Sequence, residues 1–226
     1  MRYAIYHLPE GALGQWGASW LGWDIRSATA AGAVDLPPLP RPRDELTQVP
    51  RRYGFHATMK APMHLAPGSS VDELRQALAG IAQSQPAFTM EMALKWDWGF
   101  LALRPIDPPA ALGALEAALV TGLDRFRAPL TPQDRARRHP ERLSERACAH
   151  LDQWGYPHVL DLFHYHLTLT GHVSPDEGAA LADALAPSLA RLIAQPMPVT
   201  RIALVAEATD RHFHLIDEFS LLGSSG

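Results

Sequence analysis

The two halves of this 226-residue chain carry the same elements in the same order, and this repeat constrains the fold more than any other feature. Each copy begins with a strand-like segment holding a histidine and a threonine two residues apart. These are Tyr53-Gly54-Phe55-His56-Ala57-Thr58 and His164-Tyr165-His166-Leu167-Thr168. A Ser-x-x-Glu box follows each, Ser70 to Glu73 and Ser174 to Glu177. This spacing marks a helix start, because hydroxyl and carboxylate satisfy backbone N–H groups that the first turn leaves open. Pro175 falls where a first-turn proline costs nothing. Apolar residues three and four apart predict amphipathic helices over 71–84 and 175–194. Each helix leads through proline to a strand, Phe88 to Trp96 and Val199 to Ala206. An Asp-containing turn then leads to another, Gly99 to Arg104 and His212 to Leu222. Both halves read strand–helix–strand–strand. The repeat predicts an α+β fold of two pseudo-symmetric lobes, each an antiparallel sheet with flanking helices, around a central cleft. The expected organisation is one bilobal domain, with lobe one over 1–126, an arginine-rich helical insert over 127–156 and lobe two over 157–222.

Strand side chains alternate faces, so His56 and Thr58 point the same way, as do His166 and Thr168. Packed lobes would bring two imidazoles and two hydroxyls to one cleft. An imidazole on either side of a phosphodiester can serve as base and acid, and the hydroxyls can hold phosphoryl oxygens. Counting in twos adds Lys60 to the first face, where it supplies positive charge, while Phe55, Ala57, Met59 and Ala61 line the core. On the second strand His164, His166, Thr168, Thr170 and His172 share one face, opposite Phe163, Tyr165, Leu167, Leu169 and Gly171. That histidine run opens a rival reading as a metal site, although no acidic residue on the strand joins it. A third His-x-Ser match, His172-Val173-Ser174, is read as a helix cap.

Between the halves lies a dense set of arginines, Arg125, Arg127, Arg135, Arg137, Arg138, Arg142 and Arg146, among the acids Asp124, Asp134, Glu141 and Glu145. Thr131 and Ser144 are expected to cap two short helices, the second stopped near Trp154 by Gly155 and Pro157. Most of these arginines should pair with neighbouring acids. Arg127, beside Ala128-Pro129, is the candidate for substrate contact, and Tyr53 joins Lys60 and Arg127 as substrate-binding candidates. Trp16, Trp20 and Trp23 at helical spacing predict a packing face. Residues 35–52, rich in proline and arginine, predict a stiff surface loop, and Gly223-Ser224-Ser225-Gly226 a disordered tail.

A net charge of −4 and a pI near 6.2 disfavour a long nucleic-acid polymer as partner. A small phosphorylated substrate, a nucleotide or ribosyl phosphate, or an RNA end, remains compatible. The lone Cys148 forms no intrachain disulfide and reads as a small apolar filler; it suits a reducing compartment. No signal sequence or membrane-spanning run is read. The expectation is a cytoplasmic monomer with no cofactor.

The motifs Arg51-Arg52-Tyr53-Gly54-Phe55-His56-Ala57-Thr58-Met59-Lys60 and Phe163-His164-Tyr165-His166-Leu167-Thr168-Leu169-Thr170-Gly171 resemble those of the two-histidine (2H) phosphoesterases. That superfamily includes bacterial RNA ligase-like proteins and cyclic nucleotide phosphodiesterases. The likeness runs from the first strand to about residue 222 and is strongest to the branch associated with phosphonate-utilisation operons. It implies two antiparallel sheets around a V-shaped cleft and metal-independent hydrolysis or transfer at a phosphodiester, often cyclic on ribose. His56 and His166 would then be base and acid in either order, with Thr58 and Thr168 on the non-bridging oxygens. The alternatives are capture of a phosphorylated nucleotide or RNA end without turnover, and a metal-dependent hydrolase using the second-strand histidines.

Overall fold

A computed structural model describes residues 1–32 and 34–223. Its strands are β1 (Tyr3–His7), β2 (Ala57–Met63), β3 (Phe88–Met90), β4 (Met92–Trp96), β5 (Leu101–Pro105), β6 (Leu167–Thr168), β7 (Met197–Val199), β8 (Arg201–Glu207) and β9 (Phe213–Ser220). The helices are α1 (Gly11–Leu21), α2 (Arg43–Arg51), α3 (Val71–Ser84), α4 (Ala110–Gly122), α5 (Pro132–Ala136), α6 (Glu145–Trp154) and α7 (Pro175–Leu192). The expected repeat is present as β2–α3–β3–β4–β5 and β6–α7–β7–β8–β9. Both capping boxes form. The Ser70 N–H donates to the Glu73 carboxylate at 2.8 Å, and Ser174 N–H to Glu177 at 3.1 Å.

The fold is α+β, with antiparallel sheets and flanking helices. One sheet has the order β2-β1-β8-β9 and another β4-β5-β6, while β3 pairs with β7. Each larger sheet takes strands from both halves of the sequence, so the sheets do not divide at residues 126 and 157. The hairpin β8–β9 of the second half joins the sheet carrying the first histidine motif. The hairpin β4–β5 of the first half pairs with β6, which carries the second. Helices follow the same exchange: α3 packs on β9 and α7 on β4. Each long strand expected after a helix breaks at one residue, Glu91 or Thr200, and the stubs pair across the pseudo-symmetry as Phe88↔Val199 and Met90↔Met197. A two-stranded hairpin is marginal alone in water, and the exchange gives each hairpin a partner strand and a covering helix.

The core lies between the sheets and helices. Leu74, Leu78 and Ala82 of α3, Leu181, Leu185 and Leu189 of α7, and Leu112, Leu115 and Leu119 of α4 are buried at three- and four-residue spacing. Each fully buried leucine contributes about 1.5–3 kcal/mol. Trp20 is fully buried and donates its indole N–H to Leu169 O, and Trp23 donates to Phe213 O, so the tryptophan face does pack.

Four local expectations change. Residues 43–51, read as loop, form α2: Asp44 and Glu45 favour its N-terminal dipole, and Leu46, Thr47 and Pro50 bury against the body. Pro50 in the last turn denies Leu46 O its helical donor, and the Gly171 N–H takes that carbonyl at 2.7 Å. Helix α4 has leucines and alanines on every side and so carries no polar face to mark it in the sequence. The second histidine strand is only two residues long, because Thr170 Oγ1 accepts from Leu101 N–H at 3.0 Å and Gly171 N–H turns away to Leu46 O. Thr170 is buried there with Leu169, so it leaves the histidine face. At the C-terminus Gly223 bonds Gln85 O at 2.9 Å; the rest of the expected tail, 224–226, lies outside the described residues. Among the described residues no helix is long and apolar enough to cross a membrane.

Candidate active site

The two histidines occupy equivalent places, each immediately before its strand. His56 precedes β2, whose register with β1 pairs Tyr6↔Thr58 and His7↔Ala57. His166 precedes β6, where Thr168 pairs with Ala102. Each ring bonds through Nδ1 to the carbonyl two residues upstream, His56 to Gly54 O at 2.9 Å and His166 to His164 O at 2.8 Å. A carbonyl only accepts, so Nδ1 carries the proton and Nε2 keeps the lone pair in the neutral ring. His56 Nε2 lies 3.1 Å from Thr58 Oγ1. Gly54 aims its carbonyl from φ +69°, where its glycine avoids strain and clears Ile25.

His56, Thr58, His166 and Thr168 line one cleft of about 530 Å³, together with Lys60, Arg127 and Tyr53. The cleft brings all seven sequence candidates together, but not in equivalent states. Lys60 is buried, donates to Val120 O at 2.8 Å and lies 3.6 Å from Asp124. Burial pulls its pKa down to about 8 against the opposing pull of Asp124. Arg127 spends its guanidinium on both Asp124 oxygens and on Gln153 O. It lies against Gly155, at φ +75°, where an added Cβ would come within 2.9 Å of the arginine Cδ. Arg127 therefore clasps the end of α6 to the turn after α4. Tyr53 stacks on Phe213 at 5.3 Å, its ring 6.2 Å from His56.

Aromatic rings frame both imidazoles. Tyr6 stacks on His56 at 3.7 Å, while Trp98 meets His166 edge-on at 5.6 Å and Phe100 stands 5.9 Å away. Burial lowers the His56 pKa to about 4, with the Gly54 carbonyl partly opposing and His166 reinforcing the shift. Burial also lowers His166, reinforced by Arg104, His164 and His158. Both rings are thus neutral at pH 7 in the free protein.

A buried link joins the two motifs. The Tyr165 hydroxyl and His7 Nδ1 are 2.6 Å apart. Tyr165 adjoins His166, and His7 pairs with Ala57 beside His56. His7 is buried and held neutral, its pKa lowered to about 3 by burial. A second support is Glu116 of α4, buried, whose carboxylate accepts from Leu160 N–H at 3.1 Å. That bond holds Leu160 at φ +55° on the approach to His166.

The residues that sequence reasoning missed are Tyr6, Arg2, Arg138 and Tyr156, all on the cleft wall. Tyr6 and Arg2 belong to an N-terminal strand outside the repeat, so the repeat carried no signal for them. Arg138 lay inside the arginine cluster without a mark to separate it. The ligand set considered on the second strand does not converge. His164 is exposed beside Trp98, His172 is exposed near Gly99, and neither lines the cleft. Among the described residues no three His, Cys, Asp or Glu side chains gather as metal ligands.

The chain is 38% identical over 173 residues to ribose 1,5-bisphosphate phosphokinase PhnN of Janthinobacterium sp. (strain Marseille), covering 75% of this chain and 38% of that protein. It is 33% identical over 176 residues to the protein of the same name from Laribacter hongkongensis (strain HLHK9), covering 76% and 40%. The chain thus spans about two fifths of the length of these curated relatives. Among solved structures, E. coli LigT complexed with 3'-AMP aligns over 97% of both chains at 16% identity with a TM-score of 0.43. TT0787 of Thermus thermophilus aligns over 100% of both at 14% identity with a TM-score of 0.47. The model of the family described as "Protein of unknown function (DUF1045)" matches residues 58–214, and the chain belongs to that family.

Proposed function

We propose that this protein is a metal-independent phosphoesterase that opens a phosphodiester, a cyclic phosphate of a ribose or nucleotide, by paired histidine acid–base catalysis. The observation that carries the reading is the matched pair of imidazoles. Each is locked by an Nδ1–H bond to its own backbone, with a threonine two residues on, and both face one cleft. Binding alone does not require two imidazoles held in the same tautomer; proton transfer in two directions does. The 2H resemblance supports the diester. The names of the curated relatives support a phosphorylated ribose, and the resemblance to the phosphonate-operon branch supports a place in phosphonate breakdown. A cytoplasmic setting fits the single cysteine.

His56, beneath Tyr6 and neutral above about pH 4, is the base. Its Nε2 takes a proton from water as the water oxygen bonds to phosphorus. The bond from phosphorus to the ribose oxygen breaks, and that oxygen receives the Nε2 proton of His166. His166 is the more open ring, and the substrate's negative charge favours its protonated form. Thr58 and Thr168 donate to the non-bridging oxygens as charge grows there.

The test is an assay of purified protein against 2',3'-cyclic nucleotides, ribose cyclic phosphates and linear diesters, with and without chelator. His56→Ala and His166→Ala should each lose about 10²–10⁴-fold in turnover, with the double variant little worse than either. Near-normal turnover in both single variants, or loss of activity on chelation, refutes the mechanism.

A further inference from the structure

We propose that Arg138, stacked on Tyr156, forms a second anion subsite in the cleft, so that the substrate carries a separate phosphoryl group besides the diester; this rests on the phosphodiester reading above.

The inference begins from how the cations around the cleft are committed. In the insert, Arg135 pairs with Asp152 at 2.8 Å and Arg146 with Asp161 at 2.9 Å, both away from the cleft. On the cleft wall, Arg127 is spent on Asp124 and Gln153, Lys60 on Val120 O and Asp124, and Arg2 on Glu207 at 2.7 Å. Arg137 is largely exposed and keeps a long 3.7 Å contact to Asp134. Arg138 differs from all of these. Among the described residues no carboxylate lies within ion-pair distance of it, and no hydrogen bond from its guanidinium is formed.

Arg138 is nevertheless not loose in solvent. It is half-buried on the cleft wall, its guanidinium 4.8 Å from the centre of the Tyr156 ring. An arginine stacked on an aromatic face keeps its fork of five N–H donors free at the edge, while the ring limits where the fork can go. Tyr156 is half-buried, follows the left-handed Gly155 that ends α6, and meets the His158 ring edge-on at 5.9 Å. The result is a pre-positioned cation with unspent donors, which matches the bidentate geometry of a phosphate.

The subsite reaches the same cleft from a different part of the fold. Arg138 and Tyr156 come from the insert, whereas the histidines and threonines come from the two sheets. A cleft of about 530 Å³ lies within the range of roughly 300–1,000 Å³ that holds small ligands, enough for a ribose or nucleotide with two phosphoryl groups. One would lie at the histidines and one at Arg138.

The experiment is titration calorimetry of wild type, Arg138→Ala and Arg138→Gln with a nucleoside 3'-monophosphate and the matching 3',5'-bisphosphate. Neither ligand is a diester, so the measurement does not depend on turnover. Wild type should bind the bisphosphate on the order of 10–100-fold more tightly, the range of a charge-assisted contact. Both variants should lose that preference and keep their affinity for the monophosphate. Equal affinity of wild type for the two ligands, no binding of either, or a variant that weakens both alike overturns the subsite. Absence of diester hydrolysis with Arg138-dependent preference intact overturns the hydrolase reading and leaves the subsite standing.

Discussion

Replacing Tyr165 by Phe removes one oxygen, and the structure gives a definite expectation for the cost. The hydroxyl lies 2.6 Å from His7 Nδ1 with both side chains buried, so no water replaces it. Leaving one buried partner unsatisfied costs about 1–3 kcal/mol. For a chain of this size about 1 kcal/mol shifts Tm by roughly 2–4 °C, so a mid-range loss lowers Tm by about 4–8 °C. His7→Leu should cost a similar amount, because it orphans the tyrosine instead. The double variant removes both polar groups together and should be less destabilised than the sum of the singles. Urea unfolding of all four proteins yields the coupling, expected on the order of 1–2 kcal/mol. The pair also has a pH signature. The folded pKa of His7, about 3, lies below the unfolded value near 6.5, so unfolding takes up a proton between these limits. That stability is present above pH 6.5 and is lost as pH falls towards 3, less so in His7→Leu. Additivity of the two substitutions within about 0.3 kcal/mol would refute the link between the motifs.

Thr58→Ala and Thr168→Ala should fold normally and lose about 10²-fold in rate; unchanged rates with loss of folding would make the threonines structural. The pH profile of kcat/KM should peak below pH 6.5, because both histidine pKa values are lowered and the active pair needs one proton. Above its optimum it should fall about tenfold per unit, and an optimum above pH 8 contradicts the assignment. Burial raises Glu116 to about pKa 7 from an ordinary value near 4.5, so the native state holds the extra proton. Its contribution is complete below pH 4.5 and lost as pH rises through 7. Glu116→Gln should flatten the stability profile across that window, and an unchanged profile in urea unfolding counts against the buried acid.

Most of the local structure was legible in the sequence because its signals are local. Ser70-x-x-Glu73 and Ser174-x-x-Glu177 state their own hydrogen bonds, and Gly155 ends α6 where it was expected to, in the left-handed conformation glycine tolerates. The two-residue period put His56 with Thr58 and His166 with Thr168, because a strand cannot place them otherwise. Helix α2 was hidden because the prolines around it read as loop; only the burial of Leu46, Thr47 and Pro50 makes it a helix. What only the tertiary structure decided is which strands meet. The repeat says that the halves are alike, but not that β8–β9 joins the sheet of the first histidine strand, through β1, and β4–β5 the second strand, because hydrogen-bond partners across a sheet leave no mark on either strand alone. The same limit applies to charge. Of seven clustered arginines the sequence marked only Arg127, for its place beside Ala128-Pro129; only the fold shows Arg127 spent on Asp124 and Arg138 stacked on Tyr156 with its donors free, since a salt bridge is a fact about two positions in space.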